Sequence, residues 1–298
     1  MKPRHLFRHY LNNPDKLIRT IGAHDAISAK IAEKNGFEAI WASGFEISAS
    51  HGKPDANILT MTEFLRAAEM MVEAVNIPVI ADCDSGFGNV NNVIEMVKKY
   101  EKAGITGICL EDKLFPKVNS FINKRQKLAD KHEFAAKIKA AKNTQVCDDF
   151  VVIARVEALI AGLSIEEAIE RAEAYEEAGA DMILIHSKKR TSYEIEEFRG
   201  RWKSNTPIVI VPTTYPSLTE VQIKQLKIKM VIYANQGLRS AIKAMNNTLF
   251  KLGRSGSLEQ INNDLESMES IFELQGMNNM LLNEEKYDNY QAKQLSKT

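Results

Sequence analysis

The chain has 298 residues, 44% of them hydrophobic, which is enough for a sizeable core and a length that α/β barrels commonly use as one unit. Its 39 Lys and Arg balance 39 Asp and Glu, which argues against a nucleic-acid footprint or a polybasic membrane surface. Cys83, Cys109 and Cys147 are odd in number, widely spaced and form no C-x-x-C, so a disulfide framework or structural zinc is disfavoured and a reducing cytoplasm fits. Met1–His5 opens no apolar leader, and no uninterrupted apolar run reaches membrane length.

In chain order, Arg4–Asn12 has the spacing of a short amphipathic helix. A rhythm then sets in. Short apolar runs at Leu17–Gly22, Ala39–Ala42, Val79–Ala81, Ile105–Leu110, Phe150–Ala154, Met182–Ile185, Ile208–Val211 and Met230–Tyr233 predict buried strands. Helical patterns follow each of them, at His24–Lys34, Thr62–Val75, Val90–Lys102, Lys131–Lys142, Ser164–Glu177, Tyr193–Lys203, Thr219–Leu226 and Gln236–Leu252. Eight strand–helix alternations without a Rossmann glycine fingerprint predict an α/β fold, a (β/α)8 TIM barrel over about residues 13–253, in a single domain spanning 1–298.

An internal similarity supports the barrel. Gly36, Gly104 and Gly179 each end a helical segment at the expected C′ position. Seven residues beyond them lie Ser43, Glu111 and His186. Equivalent strand ends thus carry different polar residues, which a barrel gathers at its C-terminal mouth.

The remaining strand ends enlarge that set. Strand 2 ends in Ser43-Gly44-Phe45, where close approach to backbone N–H groups could hold a carboxylate; ordinary turn chemistry also explains a Ser-Gly pair. A long loop, His51–Asp55, makes Asp55 available to point back into the mouth. Strand 3 runs into Asp82-x-Asp84, two carboxylates that share one face of an extended backbone. With Glu111 and Asp55 these make up to four carboxylates and no His/Cys cluster, an oxygen-rich set that suits Mg²⁺, with Mn²⁺ a substitute. Strand 5 ends in Arg155-x-Glu157, a structural ion pair or an anion-binding arginine. Beside it, His186 after strand 6 favours anion binding.

Glu111–Ser120, E-D-K-L-F-P-K-V-N-S, carries the densest signal: a strand ending on carboxylates, then a loop with Lys113, Lys117, Asn119 and Ser120 around Pro116. A solvated charge run is the bland alternative; a lid spanning 111–125 over a metal-held substrate is the sharper one. That string resembles the signature of the phosphoenolpyruvate mutase family in the isocitrate lyase superfamily. The likeness continues through Trp41-x-Ser43-Gly44, Asp55, Asp82-x-Asp84, Arg155-x-Glu157 and His186-Ser187-Lys188-Lys189, from about Ile21 to Gly237.

The resemblance implies interconversion of phosphoenolpyruvate and phosphonopyruvate, the C–P bond-forming entry to phosphonate biosynthesis. It implies Asp82, Asp84, Glu111 and Asp55 as the metal set, and Ser43 with the Gly44 and Phe45 amides on the substrate carboxylate. Arg155, His186, Asn119 and Ser120 would serve the phosphoryl group, Lys117 would help close the lid, and Asp55 is the alternative nucleophile. Phosphonopyruvate hydrolase shares nearly all these positions and is the alternative reading. A C–C lyase is disfavoured because the lid reads Lys113-Leu114-Phe115-Pro116-Lys117 where the superfamily's lyases carry a cysteine segment. A non-catalytic phosphometabolite-binding barrel would not need the full acidic set.

Beyond the barrel, Ser257–Leu282 reads as one long amphipathic helix with an apolar stripe from Leu258 to Met280, capped by Ser257 and Gln260. The stripe needs a partner, its own barrel or another subunit. The resemblance implies exchange of residues 257–284 with a second subunit, giving a homotetramer built as a dimer of helix-swapped dimers. Residues after Glu284 read as a loose polar end.

Overall fold

The computed structural model describes residues 1–122 and 126–295. Asn123–Arg125, the end of the expected lid, lie outside the described residues. Eight strands form a closed barrel in the order β1 to β8: Ile18–Ala23, Ala39–Ala42, Val79–Asp82, Gly107–Glu111, Val151–Val156, Met182–Ile185, Ile208–Ile210 and Met230–Tyr233. Every neighbouring pair is parallel, and β1 closes the ring onto β8 with Ile18 opposite Met230. The expected (β/α)8 barrel is therefore the fold.

The strands divide the apolar side chains into two layers, as their period of two requires. Ile18, Trp41, Ile80, Cys109, Ile153, Leu184, Val209 and Ile232 belong to the cluster inside the ring. Phe7 of α1 (Pro3–Asn12) joins that cluster, so α1 caps the amino end of the barrel. Pro3 starts α1 at a position where its missing N–H costs nothing. The outward-facing residues pack under the surrounding helices α2 (Ala26–Lys34), α4 (Met61–Ala74), α5 (Val90–Lys102), α6 (Lys131–Thr144), α7 (Ile165–Glu177), α8 (Tyr193–Arg201) and α9 (Glu220–Gln225). Capping boxes at Asp25, Thr60 and Thr219 fix where three of these begin.

Two stretches differ from the sequence reading. The segment after Ser43 folds into α3 (Gly44–Ser50), capped by the Ser43 hydroxyl, rather than running straight into a loop. The expected helix Ser257–Leu282 is broken. Helix α10 (Gln236–Ser255) ends before Ser257, whose amide bonds the Ser255 hydroxyl, so Ser257 caps nothing. A 3₁₀ turn (Asn262–Asp264) and α11 (Met268–Gln275, capped by Ser267) follow, and Gly276 at φ +77° ends α11. The supposed loose end is helical too, as α12 (Met277–Leu295).

The chain separates into two compact units, Met1–Leu238 and Arg239–Thr298. The first holds the barrel and both of its ends. In the second, Leu249, Phe250, Met268 and Phe272 are exposed. No described helix is long and apolar enough to cross a membrane.

Candidate active site

The carboxyl ends of the strands surround a cavity of about 80 Å³. Its wall includes Trp41, Ser43, Phe45, Asp55, Asp82, Lys117, Asn119, Ser120, Phe121, Arg155 and His186. Gly44, Asp84 and Glu111 stand just behind that wall. A β-carbon on Gly44 would come to 3.3 Å from Asp82 Oδ2 and 3.4 Å from Asp84 Oδ1, so the glycine lets the β2 end approach the two carboxylates. The structure thus brings all twelve expected site residues to one end of the barrel.

One half of the site is acidic. The β3 end continues from Asp82 into Cys83-Asp84, whose amides bond Cys109 and, at 3.4 Å, Asp82 Oδ1. Asp84 turns the chain with φ +49°, and Asn57 opposite it has φ +55°, both in the left-handed region that costs non-glycine residues about 1 kcal/mol or more. Asn57 is a residue that sequence reasoning missed. Its Nδ2 donates to Asp84 Oδ2 at 2.7 Å, while its Oδ1 accepts the Lys117 amide at 2.6 Å. One asparagine therefore ties the loop after α3 to the β3 end and to the lid.

The lid segment lies across the mouth. Lys117 Nζ bridges Asp55 Oδ1 at 2.5 Å and Asp84 Oδ1 at 3.0 Å, and Asn119 donates to Asp55 Oδ2 at 2.6 Å. Burial would raise the Asp55 carboxyl, but Lys117 and Asn119 override it and hold Asp55 below its ordinary value. Asp84 behaves oppositely: burial, with Asp82, Asp55 and Glu111 nearby, lifts it to about 7 despite Lys117. Burial also raises Asp82.

The other half is a buried knot around Glu157. It accepts Arg155 Nε at 2.5 Å and Ser120 Oγ at 2.8 Å, and lies 3.0 Å from Lys113 Nζ and 2.6 Å from His186 Nδ1. Burial works against its charge, but Arg155, Lys113 and His186 keep it well below the usual carboxylate range. His186 Nδ1 also sits 2.8 Å from Arg155 Nη2. Arg155 can only donate and an ionised Glu157 can only accept, so one of these two bonds exists at a time. Burial pushes the imidazole below its ordinary value, so His186 is neutral near pH 7.

Ser120 takes Lys113 at 2.6 Å and Arg155 at 3.2 Å and gives its one proton to Glu157. It lines the cavity without a proton to spare for a ligand. Lys113 and Glu157 are further residues that local patterning undervalued, the first taken for a loop donor and the second for a structural partner. Asp112, next to Glu111, faces away: it accepts Tyr175 at 2.7 Å, Arg171 at 3.1 Å and the Glu157 amide at 2.8 Å. Burial raises its carboxyl to about 6.

The acidic half fits a divalent cation. Glu111 Oε1 is buried and meets no donor among the described residues, and Asp84 Oδ1 meets only Lys117, without hydrogen-bond geometry. Among the described residues no three His, Cys, Asp or Glu side chains are grouped to ligate one ion directly. The donors here are carboxylate oxygens alone, the ligand type that suits Mg²⁺.

Residues 7–252 match the family described as phosphoenolpyruvate phosphomutase. The chain belongs to the phosphoenolpyruvate phosphomutase family. Within it, the chain is 47% identical to phosphonopyruvate hydrolase from Variovorax sp. (strain Pal2) over 274 residues, 91% of this chain and 94% of that protein. The crystal structure of phosphoenolpyruvate phosphomutase from Streptomyces platensis subsp. rosaceus superposes with a TM-score of 0.94 at 47% identity, covering 95% of this chain and 99% of the other. A phosphonopyruvate hydrolase complex with oxalate and Mg²⁺ gives 0.92 at 45% identity, over 96% and 99%. Proteins named phosphoenolpyruvate phosphomutase and proteins named phosphonopyruvate hydrolase thus resemble this chain to a similar degree.

Proposed function

We propose that this family member is a phosphoenolpyruvate mutase, interconverting phosphoenolpyruvate and phosphonopyruvate by intramolecular phosphoryl transfer. The observation that carries the reading is the division of one small cavity into an acidic half and a cationic half beneath a latched lid. Asp82 would hold a Mg²⁺ ion, with Asp55, Asp84 and Glu111 reaching it through water. When bound, the ion would supply positive charge to the pyruvate half of the substrate. The related hydrolase structure with oxalate and Mg²⁺ supports that pairing, since oxalate resembles the pyruvate enolate in carrying adjacent oxygens.

The chain's own residues do the rest. The Ser43 hydroxyl accepts from the Glu46 amide and keeps its proton, which it would donate to the substrate carboxylate beside the Gly44 and Phe45 amides. Breaking the C–P bond of phosphonopyruvate leaves the bonding pair on C3 as an enolate, and the PO₃ group carries its charge on three oxygens. Arg155 would grip those oxygens by a bidentate contact. Asn119 and neutral His186 would add donors. The enolate oxygen then captures the phosphorus, so no atom leaves. Positioning and exclusion of water dominate such a step over acid–base work.

Water is the point of division from the second reading, phosphonopyruvate hydrolase, which the 47% identical relative favours. Lys117 and Asn119, latched to Asp55, oppose water entry, and that supports the mutase. Incubation with phosphonopyruvate and Mg²⁺ tests it: phosphoenolpyruvate as the main product sustains the mutase, and stoichiometric pyruvate with phosphate replaces it with the hydrolase. We also propose that the protein is a homo-oligomer in which the Arg239–Thr298 unit meets another subunit, because its exposed apolar side chains need cover.

A further inference from the structure

A second cavity of the barrel unit is at the other end, where the strands begin. This groove of about 640 Å³ runs between the turn before β1, the segment leading into β7 and the turn before β8. Its walls hold five cations, Lys16, Arg199, Lys224, Lys227 and Lys229, against one acid, Asp15.

Most of these cations are committed. Lys16 pairs with Glu38 at 2.8 Å and Lys224 with Glu220 at 2.7 Å. Arg199 gives Nε to the Leu226 carbonyl at 3.0 Å and Nη1 to the Trp202 carbonyl at 3.2 Å. Two lysines are left over. Lys229 is only 8% exposed, yet its ammonium bonds nothing but the Asn13 carbonyl and meets no carboxylate at ion-pair distance among the described residues. Lys227 is exposed at the rim, with no side-chain bond among the described residues, and a φ of +54° holds it there. Among the described residues Asp15 comes within ion-pair distance of neither, though its charge is felt at Lys229. Burial lowers the Lys229 ammonium from its ordinary value, only partly offset by Asp15 and reinforced by Lys16.

A buried ammonium beside an open groove is costly unless an anion completes it. We propose that this groove binds a small phosphate-bearing molecule. The phosphate sits between Lys229 and Lys227, and any remaining body lies on the apolar wall of Leu11, Trp202 and Ile208. Lysine is a point-charge phosphate binder, which suits an oxyanion of variable pose. The proposal does not rest on the chemistry at the opposite end, where none of these residues lies.

Trp202 provides the readout. The chain has two tryptophans, Trp41 in the opposite cavity and Trp202 in this groove. In a Trp41→Phe background, titration at constant ionic strength with inorganic phosphate and with phenyl phosphate should give saturable changes in Trp202 emission, with Kd below about 1 mM for at least one probe. Tighter binding of phenyl phosphate assigns the groove to a phosphate ester; equal binding assigns it to free phosphate. Lys229→Met and Lys227→Asn should each weaken binding at least ~10-fold, about the effect of one lost charge partner. Asn keeps the left-handed turn, so Lys227→Asn carries the test should Lys229→Met not fold. Arg155→Ala should bind as the parent does. Absence of saturation by ~1 mM for both probes, unchanged affinity in Lys227→Asn, or loss in Arg155→Ala overturns the proposal. Failure of catalysis would leave it untouched, and failure of this binding would leave the mutase reading untouched.

Discussion

Glu157 has no exposed surface and holds Arg155, Lys113, Ser120 and His186 in place at once. Removing its charge leaves buried cations without a counter-charge, which typically costs ~3–5 kcal/mol. Glu157→Gln is expected to lower the urea midpoint accordingly and to lose activity as Arg155 drifts. A parental midpoint would show that the knot is not structural. Asn119→Ala and Arg155→Ala act on the transferring group and should each lower kcat at least ~10²-fold, measured on phosphonopyruvate. Asn119→Ala should do so without a matching loss of stability, whereas Arg155→Ala also takes a partner from buried Glu157. Sequence reasoning picked out residues whose type names their chemistry, such as Asp82, Asp84 and Glu111. Asn57 and Lys113 were hard to see for a physical reason. Their importance comes from partners brought together by folding, Asp84 twenty-seven positions away from Asn57 and Glu157 forty-four away from Lys113.

Among the elements, the lid is tied to the loop after α3 through Asn57, which accepts the Lys117 amide and donates to Asp84 at the β3 end. Asn57→Gly keeps the left-handed backbone while removing both. The expected outcome is a higher ratio of pyruvate to phosphoenolpyruvate formed from phosphonopyruvate, because a loosened lid admits water. An unchanged ratio would place the water barrier elsewhere. A second element is pinned through His24, which lies 3.0 Å from Glu46 in α3. The Glu46 hydrogen bond, against some burial, raises the imidazole above its ordinary 6.5, with Asp25 adding to it. The sign follows: protonated His24 stabilises the fold fully below pH 6.5, and that contribution is lost as pH rises through the higher folded value. His24→Gln should therefore melt well below the parent at pH 6, with the gap narrowing toward pH 9. A gap independent of pH would remove the charge from the account. Barrel strands were legible because most are short apolar runs, several of them closed by a polar residue such as Ser43, Glu111 or His186. The C-terminal helices were not, since a stripe spaced by three and four does not record where a helix is interrupted. Gly276 was the available signal for a break, but it sat inside a pattern that otherwise continued.

For the molecule as a whole, the barrel separates two chemistries by the length of its strands. Acids and the Glu157 knot gather at the carboxyl ends, lysines at the amino ends. The Arg239–Thr298 unit adds exposed Leu249, Phe250, Met268 and Phe272. Sedimentation velocity is expected to give a species larger than one chain, a tetramer by the family resemblance. A monomer at micromolar concentration would remove the exchange of C-terminal helices from consideration.

Lys117 grips Asp55 and Asp84 with a single ammonium. Any dication drawn to the same acids would share them with that ammonium, so the pocket's cargo and its cover draw on one set of negative charges.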